Sequence, residues 1–195
     1  MSVEEFLTKE AREDLISIHI NEFSTETFRE TQEDFLRAEC SGQTVVPVYI
    51  NSGGGDLNVL FAMIDLIKSS KLPVATVALG EAMSCGADLL AAGTKGYRYA
   101  SPFSAIMVHE GLSGYVGTPS SVQTHAKYDL QQFSAAFDLL DAHCGQVSGY
   151  WIRILKEAGN PDYFMTAEEA QSHGLCDFVR LPRFEPEIII KTKIV

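Results

Sequence analysis

Basic residues are scarce in this chain. Its 195 residues include 15 Lys and Arg against 26 Asp and Glu, which gives a formal net charge of -11 at pH 7. Proteins that bind nucleic acid need Lys and Arg to neutralise the phosphates, and docking on an anionic membrane surface needs the same residues. We therefore predict a protein with neither nucleic acid nor a membrane among its partners.

Long apolar runs are also lacking. A membrane-spanning helix needs roughly 20 predominantly apolar residues, whereas the apolar run at 74–79 ends at Gly80 and is typical of a buried strand. The first seven residues contain two glutamates and no Lys or Arg. Secretory signals instead begin with a basic segment and continue into an apolar one. The sequence therefore predicts no targeting segment and a cytoplasmic location.

Closely spaced cysteine pairs are absent as well. No CxxC pair occurs, although the chain has four cysteines: Cys40, Cys85, Cys144 and Cys176. Structural zinc sites usually place ligands two to four residues apart. We therefore predict reduced thiols, no metal site and no cofactor.

The chain does have enough apolar material for one core. Hydrophobic residues make up 46% of it, and the length is within the range of one compact domain. We find no linker, internal repeat or low-complexity segment. We therefore expect a single domain over residues 1–195, with a short N-terminal segment at 1–14 and a tail at 184–195 that contains an apolar strand at 188–190.

Strand-like and helix-like patterns alternate along the sequence. Such alternation predicts βαβ units, a mainly parallel sheet and an α/β fold. The predicted strands are 15–20, 45–50, 74–79, 97–100 and 105–108. The predicted helices are 24–39, 59–70, 85–92, 121–144, 151–158 and one that begins at Thr166.

Two glycine-rich segments, 51–55 and 80–84, separate a strand from a helix. In a parallel sheet such turns lie at the carboxyl edge, where ligands bind. No Lys follows the glycines of the first segment, so it is not a phosphate-binding loop. Its free backbone N–H groups could hold an oxyanion, and a simple tight turn is the alternative interpretation.

Ser84 closes the second glycine-rich segment. It can be the N-cap of the helix that follows, or an exposed nucleophile that needs an adjacent general base. His109 is the best-placed base, because it ends the strand 105–108 and can reach the same cleft. The remaining histidines lie within a strand, on the long helix or before a turn: His19, His125, His143 and His173.

A catalytic imidazole also needs a carboxylate that fixes its tautomer. Glu110, Asp162 and Asp177 are the candidates in this sequence. Composition and spacing do not choose among them. The residues alone therefore indicate a hydrolase-like cleft with a serine-based mechanism as one interpretation.

Five segments, in order, resemble motifs of the ClpP family of ATP-dependent serine peptidases, over about Leu15 to Val179. The matches, each followed by the family motif, are YINSGGG at 49–55 (YINSPGG), GEAMSCGA at 80–87 (GQAASMGA), AGTKGYR at 92–98 (AGxKGxR), IMVHE at 106–110 (MIHQP) and DYFMTAEEAQSHGLCD at 162–177 (DxFMSAxEAxxxGLID).

The resemblance implies a crotonase-like (ClpP-type) fold of repeated ββα units with a protruding handle helix at about 112–144. It implies Ser84 as nucleophile, His109 as general base and Asp162 as the orienting carboxylate. The backbone N–H groups of Gly55 and Cys85 would form the oxyanion hole.

The resemblance also implies substrates and partners. Peptides or unfolded proteins would bind as an extended strand along Gly54, Gly111, Leu112, Ser113 and Gly114. The chain would form a homo-oligomer, a heptameric ring that can stack on a second ring, with an AAA+ unfoldase as partner. Apolar residues at 133, 137, 139 and 140 on the long helix, together with the tail, are expected to supply contacts between subunits.

Four positions depart from the family pattern. Gly53 replaces a proline, Glu110 and Gly111 replace Gln-Pro after the base, and Pro161 stands where many members carry an arginine. A carboxylate beside the base would favour the imidazolium and raise its pKa. Two alternatives stay open: a catalytically silent ring subunit, and an acyl-CoA enzyme of the wider crotonase superfamily.

Overall fold

The structure is a computed structural model that describes residues 15–159 and 161–185. The predicted N-terminal segment 1–14 and the predicted strand at 188–190 lie outside these ranges. Within them the strands are β1 (Ile18–Ile20), β2 (Val46–Ser52), β3 (Val74–Met83), β4 (Arg98–Ala100), β5 (Ala105–His109), β6 (Asp162–Met165) and β7 (Phe178–Val179). The helices are α1 (Thr25–Cys40), α2 (Leu57–Ser69), α3 (Cys85–Ala92), α4 (Pro119–Cys144), α5 (Tyr150–Ala158) and α6 (Ala167–His173).

The strands form one sheet that is mainly parallel. Its path runs β1-β2-β3-β4-β7, and each neighbouring pair on it is parallel. β5 pairs in parallel with β3, and β6 lies antiparallel to β5. The predicted α/β class with a mainly parallel sheet is confirmed, and β2 and β3 end side by side, with Ser52 paired to Ala82.

β3 changes its partner part of the way along. Its first half pairs with β4 and its second half with β5. Between them Gly80 has φ 98°, and a Cβ there would lie 2.5 Å from Oδ1 of Asn51. The predicted turn at 80–84 is therefore wrong. The strand continues to Met83, because glycine permits the bend and β5 supplies new backbone partners.

Helix α3 lies at the centre of the molecule and packs against β3, α2 and α4. Its residues are buried with the exception of Asp88. Close packing on the sheet requires small residues: a Cβ added to Gly86 would lie 3.1 Å from the carbonyl oxygen of Ser52. This packing fixes the N-terminus of α3, where Ser84 lies, against the ends of β2 and β3.

Helix α4 begins after the N-cap Thr118, whose side chain accepts a hydrogen bond from the Ser121 amide. It ends at Gly145, which has φ 71°. Only its last two turns reach the core, through residues Leu140, Asp141 and Cys144. The earlier part of the helix is largely exposed, and its role as a handle between rings stays a prediction.

Two apolar predictions on the helices need correction. The helical spacing of Phe28, Phe35 and Leu36 predicts one apolar face on the first helix. Phe35 is buried, but Leu36 is 63% exposed. Leu140 was expected among the residues that contact other subunits, but it is 1% exposed. In both cases the direction of the helix face is set by packing partners distant in sequence.

Candidate active site

Ser84 connects β3 to α3 in an unusual backbone conformation. Its φ is 54°, a value that no other non-glycine residue approaches among those the structure describes. Such conformations are costly and concentrate at functional sites. Hydrogen bonds hold it there, because its amide donates to Met107 O and its carbonyl accepts from Ala87 and Asp88.

The side chain of Ser84 does not cap α3 by a hydrogen bond. Its Oγ lies 2.9 Å from Nε2 of His109, the last residue of β5. The interpretation of Ser84 as a side-chain N-cap is therefore wrong. A sharp strand-to-helix turn of this kind presents a serine hydroxyl at the edge of a sheet.

Asp162 reaches the other nitrogen of the same imidazole. Its Oδ1 lies 3.3 Å from His109 Nδ1, and the two residues are directly paired across the antiparallel strands β5 and β6. Cross-strand partners hold their side chains close together. Asp162 is the first residue of β6.

The other two carboxylate candidates lie elsewhere. Asp177 forms a buried ion pair with Arg98, in which the Oδ1–Nη2 distance is 2.6 Å, and also accepts the amides of Gly96 and Arg98. Burial alone would raise the pKa of Asp177, but the hydrogen bonds and charge of Arg98 outweigh it and lower the pKa. Glu110 is exposed beyond the end of β5. Of the three, Asp162 is the one beside His109.

The glycine-rich loop after β2 touches Ser84. Gly54 has φ 110°, and a Cβ there would lie 2.8 Å from Ser84 Cβ. The Gly54 amide donates to Ser52 Oγ, and its carbonyl accepts from Phe23. A role of Gly54 in substrate binding stays a prediction, but its lack of a side chain is what lets the loop approach the serine.

Two backbone amides lie near Ser84. Within 15–159 and 161–185, the N–H groups of Gly55 and Cys85 donate no hydrogen bond to a backbone carbonyl. Cys85 begins α3, where the first amides of a helix have no intrahelical partner. These are the two amides that the resemblance to the ClpP family assigns to an oxyanion hole.

The Cys85 thiol adjoins Ser84 at the start of α3. Its Sγ donates to Gly55 O at 3.4 Å. Burial, aided by the Asp88 carboxylate, raises the pKa of this thiol to about 12. The reactive form of cysteine is the thiolate, which a raised pKa disfavours.

Ser84 and His109 line a cleft of about 520 Å³ between the sheet edge and α4. Four of the predicted substrate-binding residues also line it: Gly111, Leu112, Ser113 and Gly114. They belong to a segment without regular secondary structure. A side chain at Gly111 would collide with the ring of Phe133 on α4, so this glycine lets the segment lie against the helix.

Two cleft residues were missed by the sequence analysis. Asp88 and Asp129 both line the cleft. The spacing of four residues from Ser84 could have placed Asp88 on the same face of α3 as the serine. Nothing in the local sequence indicates that α4 brings Asp129 to the same place.

The other histidines have partners of their own. His19 stacks on Tyr49, and His125 stacks on Tyr115. Burial lowers the pKa of His143 to about 4, with Lys68 and Arg98 contributing. His173 Nδ1 lies 2.6 Å from Tyr150 Oη.

In the described residues, no cluster of three or more His, Cys, Asp or Glu residues has the geometry of a metal site. Their helices include none whose length and apolar character would suffice to cross a membrane.

The sequence was also compared with models of protein families. The model described as Clp protease matches residues 6–182. The match covers most of the chain, including Ser84, His109, Asp162 and the loop after β2. The chain therefore belongs to the Clp protease family.

Proposed function

We propose that this protein is a serine endopeptidase in which Ser84, His109 and Asp162 form the catalytic triad. The observation that carries the proposal is one continuous contact chain from Ser84 Oγ through the His109 ring to Asp162 Oδ1, at 2.9 and 3.3 Å. Membership of a peptidase family supports the same conclusion.

The first half of the reaction forms an acyl-enzyme. Asp162 accepts the Nδ1–H of His109 and leaves Nε2 free to take the hydroxyl proton of Ser84. The Oγ forms a bond to the peptide carbonyl carbon, and the carbonyl electron pair moves to the oxygen. When this intermediate collapses, the C–N bond breaks and His109 gives its proton to the departing amine.

The second half releases the acyl group. Water attacks the ester carbonyl and passes a proton to Nε2 of His109. The bond between the acyl carbon and Ser84 Oγ then breaks, and the proton returns to Oγ. The products are a free carboxylic acid and the original enzyme.

The amides of Gly55 and Cys85 are suited to the negative oxygen of both intermediates. Neither donates to a backbone carbonyl in the described part of the chain, and both residues line the cleft next to Ser84. Fixed donors of this type contribute roughly 2.7 to 4 kcal/mol to transition-state stabilisation in a comparable serine peptidase.

The substrate would be an extended peptide or unfolded protein. The cleft runs beside residues 111–114, which lack strand partners and can pair with an added main chain. The cleft faces α4, whose Phe133 and Phe137 line it. These two rings therefore serve the cleft as well as any subunit contact.

A ring-forming oligomer follows from the family. Several large apolar side chains are exposed on the single subunit, among them Phe103, Leu112, Val116 and Leu130. Exposed apolar surface of this kind marks an interface, and repeated heterologous contacts close into a ring. We propose heptameric rings, stacked in pairs through α4, with an AAA+ unfoldase as partner.

The test is hydrolysis of a fluorogenic peptide library by the purified oligomer. Ser84→Ala should abolish hydrolysis while light scattering shows unchanged assembly. Ser134→Ala on the exposed side of α4 is the matched control and should keep the wild-type rate. Equal activity in Ser84→Ala would reject the mechanism, and an inactive wild-type ring would favour a silent scaffold subunit.

A further inference from the structure

Asp88 is the polar exception on an otherwise buried helix. It lies in the first turn of α3, and its amide donates to the carbonyl of Ser84 at 3.2 Å. A residue four positions on lies one helical turn away on the same face. Asp88 thus stands about one turn, roughly 5.4 Å along the axis, below the serine.

The carboxyl group of Asp88 faces the cleft without a partner. Among the described residues it accepts no hydrogen bond and forms no ion pair, although the residue lines the cleft. Burial raises its pKa to about 7. The other seven residues of α3 are buried, so an apolar residue in place of Asp88 would make the helix more stable. A ligand that binds the carboxylate would explain why an acidic residue occupies this position.

The Asp, Glu, Lys and Arg residues that line the cleft are all acidic. Its lining includes Asp56, Asp88 and Asp129 and contains no Lys or Arg. Asp56 caps α2, and Asp129 accepts a hydrogen bond from Tyr115 while its second oxygen is buried without a partner. Asp88 is the one of the three whose carboxyl group accepts no hydrogen bond from a described residue.

Apolar side chains complete the same cleft. Leu57, Val108, Phe133 and Phe137 line it together with Asp88. A long cationic side chain needs this combination, because its methylene stem packs on apolar surface while its head group meets a charge. A guanidinium can in addition bind a carboxylate through two parallel hydrogen bonds.

We infer that the cleft selects peptides with Lys or Arg at the residue whose carbonyl Ser84 attacks, and that Asp88 is the group that binds this cation. The inference rests on the proposed peptidase function. An approaching cation also favours the ionised carboxylate, so binding lowers the pKa of Asp88.

The test uses fluorogenic peptides that differ only at the cleaved residue, with Lys, Arg, norleucine or Glu. Norleucine has the apolar stem of Lys without the ammonium group. We expect kcat/KM for Lys and Arg to exceed that for norleucine by about 10-fold or more, and Glu to be the poorest. This comparison needs no variant and so does not depend on the folding of one.

Variants then assign the preference to Asp88. Asp88→Asn and Asp88→Leu should lower the ratio of kcat/KM for Lys to that for norleucine by about 30-fold, the loss expected when one member of a buried charge pair is removed. Asp65→Asn, on the exposed face of α2 and outside the cleft, removes the same charge and should leave the ratio unchanged.

Two outcomes would overturn the inference. Wild-type enzyme that prefers norleucine, or an unchanged ratio in Asp88→Asn, would reject it and leave the peptidase function standing. Absence of Ser84-dependent hydrolysis with every peptide would reject both.

Discussion

His109 and Asp162 are direct cross-strand partners, the last residue of β5 opposite the first residue of β6, with Nδ1 and Oδ1 3.3 Å apart. The pairing of two strands thus sets the orientation of the imidazole. Strand β3 ends immediately before Ser84 and pairs with β5. The register of β3, β5 and β6 therefore brings the side chains of Ser84, His109 and Asp162 together.

Asp162→Asn should therefore reduce kcat by about 10⁴-fold, as the equivalent change does in the well-studied serine protease, because the amide stabilises the wrong imidazole tautomer. Glu110→Gln is the control, since this exposed carboxylate lies outside the contact chain. Steady-state hydrolysis with matched assembly measures both. A near-normal rate in Asp162→Asn, or a large loss in Glu110→Gln, would assign the third role to another carboxylate.

Asp177→Asn should destabilise the fold and spare the chemistry. The Arg98 side chain is 2% exposed, and removing one partner of a buried pair costs about 3 to 5 kcal/mol. The pKa of Asp177 is lowered in the folded state, so its contribution is present above the ordinary carboxyl pKa and is lost as pH falls through the folded value. Urea unfolding at pH 7 and in acid measures both effects, and an unchanged midpoint at pH 7 would contradict the prediction.

Gly54→Ala should impair activity more than a change at a comparable glycine. The new Cβ would meet Ser84 Cβ at 2.8 Å and Oγ at 3.2 Å, which displaces the hydroxyl from His109. Gly96→Ala is the matched control, because Gly96 also has a positive φ, 85°, but nothing lies within 4 Å of a Cβ there. We expect a loss of activity of about 100-fold or more for Gly54→Ala, since small displacements of reacting groups have effects of that size. Equal activity in the two variants would be incompatible with this explanation.

Asp88→Asn should stabilise the folded chain at alkaline pH. Burial raises the pKa of Asp88 from 3.8 to about 7, so between these values the folded state holds a proton that the unfolded state has released. Stability therefore falls as pH rises through this window, by up to about 4 kcal/mol at 1.36 kcal/mol per pKa unit. The free energy of unfolding of Asp88→Asn, measured in urea, should increase relative to that of the wild type between pH 4 and pH 8. A difference between the two proteins that stays constant over this pH range would contradict the assignment.

The sequence could predict the elements that have strong local signals. The bounds of α3 agree with the prediction, and the capping box of Thr166 and Glu169 is present before α6. The residues of the proposed triad were assigned through family motifs, since spacing alone left Glu110 and Asp177 open. The structure brings Ser84, His109 and Asp162 together through strand register, which no local pattern encodes.

The features that the sequence did not predict depend on distant packing. The extension of β3 past Gly80 requires β5 as a partner, and the exposure of Leu36 depends on which face of α1 meets the rest of the fold. The cleft positions of Asp88 and Asp129 depend on α4 crossing α3, two helices separated by more than twenty residues. Helical periodicity identifies the residues that share one face of a helix, but not the element that packs against that face.

The most direct measurement of the central claim is covalent labelling of the intact oligomer by a fluorophosphonate probe, with the modified residue identified by mass spectrometry. An activated serine reacts with such a probe, whereas a serine that merely ends a strand does not. We predict one label per subunit, on Ser84, absent in Ser84→Ala and strongly slowed in His109→Ala. Wild-type protein that stays unlabelled, or that labels equally fast without His109, would contradict the assignment of Ser84 as a nucleophile activated by His109.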